Sequence, residues 1–188
     1  VQDWVQNSNN TSLNTPTNTA TYNPPPREAI YHNEASSFEF TSGYKERLIN
    51  GSQHDDGFIS VFENQNGTWQ VVGSGISGNT DEYFGYSVDI RKDGNIIAVG
   101  APQAKAGAGE KGLVRIYEYD TVFGSPTINT WVQMGNDIVG QVDGDNFGNS
   151  VSLSADGYRV AISAPLHDSN KGTIQVYEWD PAAGSPAW

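Results

Sequence analysis

Apolar residues along this chain come in short runs broken by Gly, Asp-Gly or Pro, clearest at residues 86–90, 96–100, 112–119 and 131–135. Runs of that length between turn signals predict β-strands. Val114, Ile116 and Tyr117 line one face of such a strand while Arg115 turns to the other, and Val176 and Tyr177 stand against Gln175 in the same way. The pattern predicts an all-β protein.

The runs recur. Glu82 to Ile90 (EYFGYSVDI) returns about 60 residues later as Asp145 to Leu153 (DNFGNSVSL), and the continuation keeps register. Asp93-Gly94 followed by Ile97-Ala98-Val99-Gly100-Ala101-Pro102 matches Asp156-Gly157 followed by Val160-Ala161-Ile162-Ser163-Ala164-Pro165. A second block occurs three times, as Gly57 to Glu63, Gly112 to Glu118 and Gly172 to Glu178. Trp69 to Gly78 aligns with Trp131 to Gly140, and Trp188 opens a further copy. The repeat region, 57–188, therefore holds about two repeats plus partial copies, each of about four strands. Four antiparallel strands describe a propeller blade, and a two-sheet sandwich uses the same runs. Constant spacing and apolar character make Phe84, Val88, Ile97, Phe147, Val151 and Val160 the expected repeat core.

The first third of the chain differs. Residues 1–26 are rich in Asn, Thr, Ser and Pro, with Asp3 the only charge. Such a segment has too little apolar surface for a core of its own and reads as disordered or as an extended arm. Alternating Thr15, Thr17, Thr19 and Thr21, flanked by Leu13 and Tyr22, favour an extended strand wherever a neighbour supplies the edge. Pro24, Pro25 and Pro26 impose a stiff spacer that projects this arm outward. Residues 27–56, with apolar pieces at Ile30-Tyr31 and Phe38-Glu39-Phe40, read as a connector of two short strands.

The pairing of Phe84-Gly85 with Gly100-Ala101-Pro102, and of Phe147-Gly148 with Ala164-Pro165, resembles the FG-GAP repeats of integrin-type β-propellers. Trp131 to Ile138 followed by Phe147 to Gly157 is similar to the FG-GAP-like repeats of large surface and fibre proteins of marine bacteria and viruses. The resemblance covers residues 57–188 and implies a partial β-propeller with an extracellular adhesive or structural role. One departure concerns calcium, because FG-GAP loops that bind it place several oxygens between the Ser-Val and Gly-Ala-Pro strands. Here those loops are Arg91 to Asn95 and Ser154 to Tyr158, each with one carboxylate beside Gly, which is hairpin-turn chemistry. No metal and no cofactor is expected.

Charge narrows the partners. Twenty-two acidic against 10 basic side chains give a net charge of −12, and the basic residues are scattered. That argues against nucleic acid and anionic membrane surfaces. No stretch is long and apolar enough for a membrane-spanning helix. The absence of cysteine excludes disulfides and thiolate chemistry. His32, His54 and His167 lack the spacing of a metal site or a catalytic triad; His54-Asp55-Asp56 reads as a polar turn, and Asp143-Gly144-Asp145 beside Asp137 as a solvated loop. Recurrence of Trp69, Trp131, Trp179, Trp188, Tyr117 and Tyr177 favours packing over sugar stacking. Acceptor sequons at Asn9, Asn10, Asn50 and Asn66 offer sites for covalent glycans, and host-surface carbohydrate is a further candidate partner.

The chain begins at Val1 without Met, which suits an exported or processed protein. About two repeats do not close a ring of four or more blades, so sheet edges are expected to be completed by further repeats or by another subunit. The arm is the natural strand donor, and head-to-tail donation builds a filament. The expectation is a non-enzymatic structural subunit of an extracellular fibre, cell-surface or virion, that forms a homo-oligomer through residues 1–26. The alternative is an adhesin or carbohydrate-binding propeller module from a longer chain.

Overall fold

Three antiparallel sheets follow one another along the chain in the computed structural model, which describes residues 35–40, 46–52, 56–106, 109–122, 125–127, 129–182 and 187–188. The first contains β1 (Ala35–Phe40), β2 (Arg47–Ser52), β3 (Phe58–Gln65), β4 (Thr68–Val71) and the short β5 (Ile76–Ser77), in the order β1-β2-β3-β4 with β5 also on β3. The second contains β6 (Ser87–Ile90) and β7 (Ile96–Ala101), then, after the small hairpin of β8 (Lys105–Ala106) and β9 (Gly109–Glu110), β10 (Leu113–Tyr119), β11 (Trp131–Gln133) and β12 (Ile138–Val139). The third has β13 (Val151–Leu153), β14 (Arg159–Ala164) and β15 (Thr173–Glu178).

Register shows that these are copies of one unit. Arg47 pairs with Glu63, Ile96 with Glu118, and Arg159 with Glu178; five pairs further along, Ser52 meets Phe58, Ala101 meets Leu113, and Ala164 meets Thr173. Residues 35–52, part of the connector, thus supply the first two strands of the first sheet. The leading strands β1, β6 and β13 lie side by side, as the innermost strands do about a propeller axis. The chain is an all-β partial propeller of three blades.

The core lies between blades. Ile49, Ile59 and Val61 of the first blade meet Ile97, Val99, Leu113 and Tyr117 of the second, with Phe84 between them. On its opposite face the second blade presents Ile96, Ala98, Val114 and Ile116 to Val160, Ile162 and Ala164 of the third, with Phe147 between. Tyr117, expected beside Val114 and Ile116, faces the first blade instead, because neighbours along a strand alternate sides. Strand β7 is buried at every position, which explains its unbroken apolar sequence: a strand covered on both faces has no polar side. Of the expected repeat core, Phe84, Ile97, Phe147 and Val160 are buried, and Val88 and Val151 pack half-buried against the same clusters.

Candidate functional site

The features that join one blade to the next form the best-defined chemistry in the molecule. Each Phe-Gly turn enters the blade before it. The Phe84 backbone bridges Gly57, and a Cβ on Gly57 would lie 2.0 Å from the Phe84 carbonyl oxygen. Gly112 gives the same room to Phe147, where a Cβ would meet its carbonyl oxygen at 2.1 Å. Both glycines also have positive φ, so two independent constraints exclude a side chain. The phenyl rings then meet their own blades edge-on, Phe84 against Tyr117 at 6.3 Å and Phe147 against Tyr177 at 6.2 Å. Burial pushes the pKa of the Tyr117 hydroxyl up to about 12.

Arginines tie the same joints from outside. Arg47 is bound to Glu63 (2.9 Å) and donates from Nη1 to the Gly94 carbonyl (2.7 Å) and the Asn95 side chain (3.0 Å), gripping the Asp93-Gly94 turn of the next blade. Arg91 repeats this one blade later by donating to the Asp156 carbonyl (3.2 Å). Tryptophans reach backwards: Trp131 Nε1 donates to the Val72 carbonyl (2.9 Å) and Trp188 Nε1 to the Met134 carbonyl (2.8 Å). Of the recurring tryptophans, Trp131 and Trp188 therefore pin blades together.

Arg115 centres the one substantial ionic cluster among the described residues. It donates to both Glu82 oxygens (2.8 and 3.1 Å) and both Asp137 oxygens (3.0 Å each), and its guanidinium lies 5.5 Å from the Phe84 ring centroid. Burial opposes ionisation of Glu82, but hydrogen bonds from Arg115 and Asn79 outweigh it and lower its pKa. In the third blade the Arg115 register is taken by the neutral Gln175, which accepts from the Tyr177 hydroxyl (2.8 Å), and Asp145, at the Glu82 position, contacts His167 instead.

Several sites expected from the sequence look different in three dimensions. Asp137 and Asp145 do not share a solvated loop: Asp137 is held by Arg115, while Asp145 is buried and contacts His167 Nδ1 at 2.5 Å. The Asp93 and Asp156 carboxylates are satisfied locally, the first by Arg91 and Asn95, the second by the Ser154 hydroxyl and the Tyr158 amide, and both have lowered pKa values. Asn50 lies half-buried in the middle of β2 with its side-chain oxygen buried, whereas Asn66 lies exposed in the β3–β4 turn. Leu13, Thr15, Thr17, Thr19, Thr21, Tyr22, Asn9, Asn10, His32 and His54 lie outside the described residues. A groove of about 200 Å³ is lined by Asn136, Asp137, Ile138, Tyr177 and Trp188, but Asp137 is committed to Arg115 and Gln133.

The sequence did not flag Arg47, Arg91 or Arg115. Single arginines carry no motif, and their partners lie far along the chain. The strand-opening glycines were visible only as turn formers.

No family model and no curated protein matches the chain. Among solved structures it is similar to the Dos1 propeller, with TM-score 0.45 and 15% identity over 80% of this chain and 33% of that one. It is also similar to the intramolecular trans-sialidase from Ruminococcus gnavus, with TM-score 0.39 and 14% identity over 75% of this chain and 32% of that one. The chain thus spans about a third of the length of these structures. The likeness is one of fold, and it corrects one expectation: with an enzyme among the structures of similar fold, the absence of enzymatic activity does not follow from the architecture.

Proposed function

We propose that the chain is a structural subunit of an extracellular fibre, built of FG-GAP-like blades and linked head to tail by strand donation from residues 1–26. The supporting observation is the edge of β15. In the first two blades the third strand is flanked by a fourth, β4 on β3 and β11 on β10. Among the described residues β15 pairs only with β14, and no described strand lies on the Thr173–Glu178 edge that β4 and β11 cover in the other blades. Such an edge recruits an extended segment, and alternating Thr side chains suit a strand with one face packed and one solvated. The competing reading, an adhesin or carbohydrate-binding module of a longer chain, has only the groove beside Trp188 in its favour.

Deleting residues 1–23 is the test. The expected result is an unchanged repeat region, by circular dichroism and thermal melting, and no filaments by negative-stain electron microscopy where the full chain forms them. Normal filaments from the truncated chain, or a full chain that stays monomeric while binding a glycan array, would favour the adhesin.

A further inference from the structure

The outer face of the third blade repeats, position for position, the face with which the first blade grips the second. In the first blade that face consists of the Gly57 cradle, Ile59 and Val61, and the Arg47–Glu63 pair, all engaged by the second blade. Matching strand registers place Gly172, Ile174, Val176 and the Arg159–Glu178 pair at the same sites of the third blade. Among the described residues, each is free of the contact its counterpart makes. A Cβ on Gly172 would meet nothing nearer than the Pro165 carbonyl oxygen of its own blade at 3.3 Å, although φ there is +74°. Ile174 and Val176 are 71% and 67% exposed, against 1% and 2% for Ile59 and Val61. Arg159 holds Glu178 at 2.7 Å and is 54% exposed, where Arg47 is 2%.

We propose that this face is the docking surface for a further blade of the same kind, one that opens with a Phe-Gly turn and carries an Asp-Gly hairpin between its first two strands. The Phe-Gly backbone seats over Gly172, the blade's second and third strands cover Ile174 and Val176, and Arg159 donates to the carbonyl of the Asp-Gly turn. The occupant follows from the joints already formed: the glycine cradle and the two apolar positions meet the incoming blade at both, and the arginine at the Arg159 register meets the Asp-Gly turn at the first, a role Arg91 takes at the second. A second copy of this chain docking through its first blade fits less well: Leu48, Phe62 and Trp69 on the outward side of that blade are already buried. The inference goes beyond the fibre reading, since it concerns the side-chain face of β15 rather than its main-chain edge, and either can fail alone.

The chain has no cysteine, so Ile174→Cys introduces a single thiol whose reaction with a disulfide reagent reports cover over this face. Three proteins are compared: the full chain, the chain extended after Trp188 by a copy of residues 132–140, and the chain extended by a copy of residues 132–182. The short extension supplies a fourth strand, and the long one adds a Phe-Gly blade. The expected result is fast reaction in the first two and a slowing of at least about tenfold in the third, relieved by Phe147→Ala within the copy. Val176→Cys should behave alike if Ile174→Cys folds poorly. Equal rates in all three proteins would overturn the proposal. So would slow reaction in the unextended chain, since its own segments would then cover the face if dilution left the rate unchanged, and a second copy if dilution restored it.

Discussion

The second and third blades share a sequence pattern and differ in what surrounds them. Val114 and Ile116 in β10 are buried to within 1%, while their counterparts Ile174 and Val176 in β15 are, with Val122, the most exposed large aliphatic side chains described. The residue types are the same and the strands share one register; what differs is that β10 is covered by a next blade and flanked by β11, and β15, among the described residues, by neither. A repeat of this kind has no core of its own, because its apolar faces are satisfied only by neighbours. Hydrophobic pattern therefore reports where a strand can be covered, not whether it is.

The largest effect that sharpens this contrast is expected at the Phe-Gly plugs. Phe147→Ala should destabilise by about 3–5 kcal/mol in a denaturant titration, because it empties a joint between two blades. Val176→Ala on the open face should stay within about 0.5 kcal/mol. A Val176→Ala loss as large as that of Phe147→Ala would break the contrast.

Next come the cradles. Gly112→Ala places a Cβ against the Phe147 carbonyl on top of its positive φ, and should cost more than about 2 kcal/mol. Gly172→Ala carries the backbone term with a looser 3.3 Å approach to the Pro165 carbonyl oxygen, and should cost less, about 1 kcal/mol. Equal losses at both glycines would show that conformation alone decides.

A smaller, pH-dependent difference separates the Arg115 cluster of the second blade from the neutral Gln175 at the same register of the third. The pKa of Glu82 in the fold lies below its ordinary value of 4.5, so its contribution is present above that value and disappears as pH falls through the lowered one. Glu82→Gln should flatten the acid limb of a melting-temperature profile, whereas Gln175→Ala should leave its shape unchanged. A profile insensitive to Glu82→Gln would remove the cluster from the account of acid stability.

The smallest effect is expected at the two Asp-Gly turns. Their carboxylates already accept bonds from Arg91, Asn95, Ser154 and Tyr158, so a chelator should leave the melting temperature unchanged. A calcium-dependent shift abolished by Asp93→Asn or Asp156→Asn would show that a cation competes for those oxygens.

Sequence alone determined the repeat and its strands, because period, turn glycines and alternation are local and recur whatever the chain's fold. It marked 57 as the start of the repeat for the same reason: Gly51-Ser52 stands where Gly100-Ala101 and Ser163-Ala164 stand, without the proline that makes the later copies recognisable. Only the tertiary structure decided that β1 and β2 complete the first blade, and that three sheets stack as a partial propeller rather than two as a sandwich. It alone showed that Arg47, Arg91 and Arg115 bind carbonyls and carboxylates supplied by other strands and turns. These outcomes depend on which faces meet, and a side chain's partner across a sheet joint is fixed by register and stacking rather than by its neighbours along the chain.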